Sequence, residues 1–157
     1  MQRKFVVSDF EKCTGCQICE YVCSAVKEGG FNPLLSRIRT VRIEPAFNIS
    51  MACRLCEDPI CVKSCPRKAL SKDEKTDTII VDQEKCNGCA WCIEACEFGA
   101  IALHPVKKTI VLCDICDGDP KCVPYCPTEA LSLKTPEEIS QKSRKKAIIT
   151  LVSRISE

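Results

Sequence analysis

The sequence predicts an α+β fold of two small modules with short strands, short helices and cysteine-rich loops, followed by a C-terminal helix. Three observations predict it: sixteen cysteines fall into four groups of four, short β-branched stretches lead into those groups, and the segment from Thr135 onward has helix-start chemistry. A chain of 157 residues ordinarily forms one domain or two small ones. Its 45% hydrophobic share includes the cysteines; without them roughly 35% remains, thin for a self-sufficient core. With only 5% aromatic residues the interior needs covalent or metal staples, which the cysteines are placed to supply.

Run one is Cys13-x2-Cys16-x2-Cys19-x3-Cys23 and run three is Cys86-x2-Cys89-x2-Cys92-x3-Cys96. Both have the spacing of bacterial ferredoxins, whose thiolates hold 4Fe-4S clusters. Run two, Cys53-x2-Cys56-x4-Cys61-x3-Cys65, and run four, Cys113-x2-Cys116-x5-Cys122-x3-Cys126, lengthen only the middle gap and are each followed by Pro, at Pro66 and Pro127. The longer gaps, around Pro59 and around Gly118 and Pro120, read as turns. Three cysteines so spaced can curl around one cubane, with Gly15 and Gly88 allowing close backbone approach. The fourth lies one helical turn further on, where it projects toward a neighbouring cluster. The composition therefore points to four 4Fe-4S clusters with no thiol left over.

Polar turns and β-branched leaders recur before the runs: Phe5 to Lys12 before run one, Thr78 to Val81 before run three, Thr109 to Leu112 before run four. The chain thus reads as a repeat of strand, cysteine loop and short helix. Runs two and three, joined by a ferredoxin-like hairpin, form an inner module over residues 48–104. Runs one and four then form an outer module over residues 1–30 and 105–134, with a strand-like connection at 31–47. This arrangement places Cys13, Cys16, Cys19 and Cys126 on one cluster and Cys113, Cys116, Cys122 and Cys23 on its neighbour. In the inner module Cys53, Cys56 and Cys61 join Cys96, and Cys86, Cys89 and Cys92 join Cys65. Sequential pairing, run one with two and three with four, is the alternative that spacing alone leaves open.

The order of the runs, the turn insertions in runs two and four, and the strand-like stretch Arg37 to Glu44 resemble the iron-sulfur subunits of the dimethyl sulfoxide reductase family. The likeness extends to about residue 134 and matches all sixteen ligand positions. It implies that runs one and four share a module and that runs two and three share the other. Ser24 and Glu97 depart from the family's habit of a Pro after the fourth cysteine, and the long insertions of larger relatives are missing. The resemblance also implies a partner: a catalytic subunit of tungsten or molybdenum pterin type, such as a tungsten aldehyde oxidoreductase. A ferredoxin or flavoprotein would be the second redox partner. A free-standing polyferredoxin shuttle, and a small subunit of a hydrogenase or carbon monoxide dehydrogenase, are the other readings.

Zinc ribbons share the C-x2-C pair but do not require a third and fourth cysteine in every group. Disulfides would suit an exported chain, whereas the segment Met1 to Phe10 has no apolar stretch of signal length, and a cytoplasmic location is expected. No apolar run approaches membrane-spanning length. The formal charge of +2 becomes roughly −6 once four clusters are counted, which argues against nucleic-acid binding. No nucleophile–base pair, nucleotide loop or flavin fingerprint is present, so the chain is expected to be non-catalytic by itself.

Trp91, between Cys89 and Cys92, is expected to pack over a cluster and exclude water. His104, before Pro105 and near Lys107 and Lys108, is expected in a surface turn and not as a ligand. Asp114, Asp117 and Asp119 are expected to lower the potential of the run-four cluster, and Arg54 to raise that of run two. In the tail, Thr135, Pro136 and Glu138 form a capping box, and Ile148, Leu151, Val152 and Ile155 recur at helical spacing. Residues 135–157 are therefore expected to be an amphipathic docking helix.

Overall fold

The computed structural model describes residues 3–43 and 47–155. Glu44 of the expected strand-like stretch, the first two residues of the outer module and the last two of the tail lie outside the described residues. What emerges is a fourfold repeat of strand, cysteine loop, helical turn and strand. The first repeat is β1 (Phe5–Ser8), α1 (Ile18–Glu28) and β2 (Arg39–Ile43). The second is β3 (Phe47–Met51), α2 (Ile60–Lys63) and β4 (Leu70–Lys72). The third is β5 (Ile79–Val81), α3 (Trp91–Glu94) and β6 (Ile101–Leu103). The fourth is β7 (Ile110–Leu112), a 3-10 turn at Ile115–Gly118, and β8 (Leu131–Lys134).

The strands form two-stranded antiparallel sheets, β1 with β8, β2 with β3, β4 with β5 and β6 with β7. Each pair joins the end of one repeat to the start of the next, and β8 on β1, with Phe5 opposite Lys134 and Ser8 opposite Leu131, closes the ring. Two-stranded ribbons of this length are marginal alone, so their apolar faces must pack elsewhere. They pack on the cysteine loops: Ile38, Leu55, Leu70, Ile79, Ile101, Ile110 and Leu112 share one core with Cys19, Cys53, Cys92, Cys113 and Cys122. The core side chains are mostly small and aliphatic, as the composition requires, and the thiols occupy part of the volume that aromatic rings would fill elsewhere.

Helix lengths follow from what comes after the fourth cysteine. Pro66 and Pro127 force Cys65 and Cys126 toward extended backbone and end the turn, and the chain then reverses at Lys68 and Glu129, both at positive φ. Run three lacks the proline but reverses equivalently at Gly99. In run one, Ser24 lets α1 continue to Glu28, where Gly29 caps it in the left-handed conformation with its N–H on the carbonyl of Ala25. The tail forms α4 (Pro136–Ile155). Its capping box is present, with Glu138 N–H donating to Thr135 Oγ1 at 3.2 Å and Thr135 N–H to Glu138 Oε2 at 2.8 Å. The apolar residues do not form a stripe along the whole helix. Apart from Ile139 they lie from Ala147 onward, and the basic residues Lys142, Arg144, Lys145 and Lys146 lie before that point, so the helix is divided along its length. Among the described residues no helix is long and apolar enough to cross a membrane.

Candidate metal centres

Each cysteine loop is shaped by residues in the left-handed region: Gly15 and Gln17 in run one, Leu55 in run two, Gly88 and Ala90 in run three, Ile115, Cys116 and Asp117 in run four. Both glycines are favoured by conformation, and Gly88 is also required by a backbone neighbour. A Cβ on Gly88 would lie 2.1 Å from the carbonyl oxygen of Lys108, and one on Gly15 would lie 2.6 Å from Oδ1 of Asn48. Close approach, anticipated toward the metal, is thus also an approach between repeats.

All sixteen thiols are free, and only Cys16 and Cys89 are exposed. Among the described residues no three acidic, histidine or cysteine side chains converge as a single-ion site would require. Burial pushes Cys53 up to about 12, reinforced by the neighbouring thiols of Cys61, Cys56 and Cys96. Burial likewise pushes Cys92 up to about 11, with Cys65, Cys61 and Cys86 acting in the same direction. Cys113, up to about 12 for the same first reason, is raised further by Cys23 and, from the second repeat, by Cys53. Cys122 is raised by burial and then by Cys113, Cys23, Cys19 and Cys116. Thiols this hard to ionise become thiolates when a cation takes the proton's place, so the donor set fits an iron-sulfur cluster.

The strand pairs by themselves suit either pairing of runs, because every repeat is stitched to both neighbours. Thiols of different runs also act on one another electrostatically: Cys96 on Cys53, Cys65 on Cys92, and Cys23 on both Cys113 and Cys122. Cys126 has other neighbours. Burial raises it, yet backbone and hydroxyl groups of Leu131, Thr128 and Ala130 outweigh burial and hold it below the ordinary thiol value. Cys65 is held down in the same way by Ala69, Arg67, Leu70 and Lys68. The matching bonds, Ala69 N–H to Cys65 Sγ at 3.2 Å and Ala130 N–H to Cys126 Sγ at 3.3 Å, come from the same Cys-Pro-x-x-Ala turn. Amide N–H groups aimed at sulfur favour the thiolate. Arg37 N–H also donates to Cys23 Sγ, at 3.3 Å.

Charged side chains reinforce the junction between α1 and run four. Asp114 Oδ2 accepts from Lys27 Nζ at 2.8 Å and from Arg37 Nη1 at 2.9 Å. The expected effect of Asp114 on the run-four potential is therefore opposed by two cations, and Lys121 pairs with Asp119. Arg54 stacks on the rings of Phe5 at 4.4 Å and Phe98 at 5.6 Å.

Two expectations need correction. Trp91 is not packed: it is 63% exposed, at the start of the single-turn helix α3. His104 is not at the surface. It is 3% exposed, and its Nδ1 accepts the N–H groups of Val106 and Lys107 at 3.2 and 3.0 Å, filling the turn it was expected to decorate. Sequence reasoning also missed Thr40 and Ser50, which lie opposite each other on β2 and β3 and approach the thiols of run one. Hydroxyl residues on a short strand give no sequence signal for that contact.

Residues 46–135 match the family model described as a 4Fe-4S dicluster domain. The chain is 41% identical over 125 residues to the polyferredoxin-like subunit of an aliphatic sulfonate oxidoreductase from Pyrococcus furiosus, covering 80% of this chain and 72% of that one. It is 33% identical to a probable anaerobic dimethyl sulfoxide reductase chain of Escherichia coli K12, covering 85% and 74% of the two chains. Among solved structures, a chain of the benzoyl coenzyme A reductase active-site complex with benzoyl-CoA aligns over 100% of this chain and 99% of its own, with a TM-score of 0.50 and 22% identity, a likeness of fold. The chain belongs to the 4Fe-4S dicluster family of iron-sulfur electron-transfer subunits that serve oxidoreductases.

Proposed function

We propose that the chain carries four 4Fe-4S clusters in two double-cluster modules and relays electrons between a catalytic oxidoreductase subunit and a second redox partner. The outer module is residues 1–30 and 105–134, and the inner module is 48–104. The ligand sets are Cys13, Cys16, Cys19 and Cys126; Cys113, Cys116, Cys122 and Cys23; Cys53, Cys56, Cys61 and Cys96; and Cys86, Cys89, Cys92 and Cys65. The observation that carries this reading is the spacing of the sixteen cysteines within a chain that matches the dicluster family, and the electrostatic influence of Cys96 on Cys53, Cys65 on Cys92 and Cys23 on Cys122 supports the sharing of ligands between runs.

The same influences support an order of the centres along the relay. Cys19 acts on Cys122 and Cys53 acts on Cys113, which supports an order with the run-four centre between those of runs one and two. Runs one and three then stand at the ends, and they hold the two exposed thiols, Cys16 and Cys89. Each bound cluster supplies one-electron chemistry with no bond broken. The chain's residues fix spacing, exclude water from the middle thiols and leave the terminal ones within reach of partners. The catalytic partner is a tungsten or molybdenum pterin subunit, supported by the resemblance to subunits of the dimethyl sulfoxide reductase family, and the second is a ferredoxin or flavoprotein. The complex is proposed to be cytoplasmic, with α4 as a docking element.

Iron and sulfide analysis of natively purified protein should return roughly 16 of each per chain, with a stoichiometric pterin-containing subunit co-eluting. Half that iron would overturn the cluster count. A lone monomer with full iron would overturn the fixed-subunit reading in favour of a shuttle.

A further inference from the structure

The β2–β3 hairpin lies across the run-one loop. From it Arg42 reaches the carbonyl of Gly15, its Nε at 3.1 Å, and Asn48 sits where a side chain on Gly15 would be. Two hydroxyls on the same face go further. Ser50 Oγ is 3.4 Å from Cys19 Sγ and 3.8 Å from Cys13 Sγ, and Thr40 Oγ1 is 3.6 Å from Cys19 Sγ. Thr40 and Ser50 are register partners, 3.1 Å apart through their oxygens. Ser50 is 4% and Cys19 7% exposed, so water has little access to compete for these protons.

Each hydroxyl has one proton. The contact between the two oxygens uses at most one of the pair, so at least one proton is left for a sulfur. Thiolates bound to iron are acceptors without a proton of their own, which fixes the hydroxyls as donors when the cluster is present. A donor to cluster sulfur stabilises the more negative, reduced state more than the oxidised one, and hydrogen bonds to sulfur are one of the terms that set these potentials.

We infer that the β2–β3 hairpin sets the reduction potential of the run-one cluster, with Ser50 and Thr40 as positioning residues that hold hydroxyl protons on Cys19 and Cys13 and raise that potential. This rests on the ligand assignment proposed above. No proton is transferred: the cluster gains or loses one electron, and each O–H bond stays intact. The hairpin thus tunes the terminal cluster nearest the exposed Cys16, where the relay exchanges electrons with a partner.

The test is potentiometric titration of the iron-loaded full chain, followed by electron paramagnetic resonance. Cys19→Ala first identifies the cluster by the midpoint that disappears. Thr40→Val, which keeps the side-chain shape, and Ser50→Ala should each lower that midpoint with the others unmoved. Their combination should lower the reduced-to-oxidised ratio at a fixed potential about tenfold, equivalent to about 59 mV for a one-electron couple. Ser50→Thr, retaining the hydroxyl, should restore the wild-type value. Thr40→Val carries the test if Ser50→Ala takes up too little iron. An unmoved or raised midpoint in iron-replete Thr40→Val, or a shift in a different cluster, would overturn the inference. Full iron content in Cys19→Ala would instead overturn the ligand assignment beneath it.

Discussion

Nε2 of His104 lies 3.4 Å from Oε2 of Glu28, bringing the β6–β7 turn against the end of α1. Because Nδ1 accepts two backbone N–H groups, the proton of the neutral ring sits on Nε2 and faces the carboxylate. Lys107 adds an ion pair at 2.6 Å, and Arg37 stands 3.9 Å away while also holding Asp114. One carboxylate thereby links run one, run three's closing hairpin and run four.

This network predicts a pH-dependent contribution to stability. The hydrogen bond from Lys107, with His104 in support, holds the Glu28 carboxyl below its ordinary value of 4.5 despite burial. A depressed carboxylate stabilises the fold above its unfolded-state pKa, and that stabilisation is lost as pH falls through the folded one. Wild type should therefore exceed Glu28→Gln by about 1 kcal/mol at neutral pH. The gap should stay constant down to about pH 5 and close below 4.5. Anaerobic denaturant titration at a series of pH values reads the gap directly; a gap that widens on acidification would refute the assignment.

Gly88 and Gly99 offer a paired comparison. Both have positive φ, +68° and +58°, but only Gly88 faces an obstacle, the Lys108 carbonyl, whereas a Cβ on Gly99 meets nothing within 4 Å. Gly99→Ala should cost about 1 kcal/mol through backbone conformation alone. Gly88→Ala should cost about 3 kcal/mol or more and lower the iron content of the run-three centre. Equal destabilisation in guanidinium unfolding would show that the approach between repeats carries no energy.

How far the sequence reached can be judged from single residues. The cysteine spacing and the Thr135–Glu138 capping box were legible because each is a local pattern with a local cause. β3 was not, although Phe47, Ile49 and Met51 alternate with Asn48 and Ser50: five residues are a short window, and the register with β2 is fixed by contacts with the run-one loop. His104 followed by Pro105 and two lysines has the composition of an exposed turn; its burial depends on Glu28, which no local window contains. Trp91 failed for the opposite reason. A large indole is normally buried, but α3 spans only Trp91–Glu94 and turns that position outward.

Trp91 and Cys89 are exposed together at one end of the proposed relay, beside Ser64, Ala90, Glu94 and Ala95. Exposed tryptophans with a polar rim are characteristic binding anchors. Trp91→Ala should change unfolding stability by less than about 0.5 kcal/mol and leave iron content intact. It should weaken the complex with the proposed second redox carrier by about 2 kcal/mol, roughly 30-fold in Kd. Stopped-flow reduction of that carrier, with concentration dependence to extract Kd, separates the two effects. A stability loss with unchanged Kd would make Trp91 a packing residue after all.

The proposed docking role of α4 depends on its division into halves. Its first half is tied to the molecule: Ile139 packs on the core, Lys142 pairs with Asp9 at 2.7 Å, and Lys146 pairs with Glu11 and stands 5.3 Å from the centre of the Phe10 ring. Its second half presents Ile148, Ile149, Leu151 and Ile155 at 55% exposure or more. Phe10 stacks on Phe47 at 4.9 Å beneath the first half, so the apolar surface continues toward the run-one loop. A partner seated there would meet the end of the relay that exposes Cys16. Replacing Ile148 and Leu151 together by Glu should abolish co-elution of the catalytic subunit, while iron content and helix signal in circular dichroism stay at wild-type levels. Lys142→Ala should instead loosen the anchor, with a loss of about 0.5 kcal/mol in stability and co-elution weakened but retained. Undiminished co-elution of the doubly substituted chain would remove α4 from the interface and leave the run-one loop to make it alone.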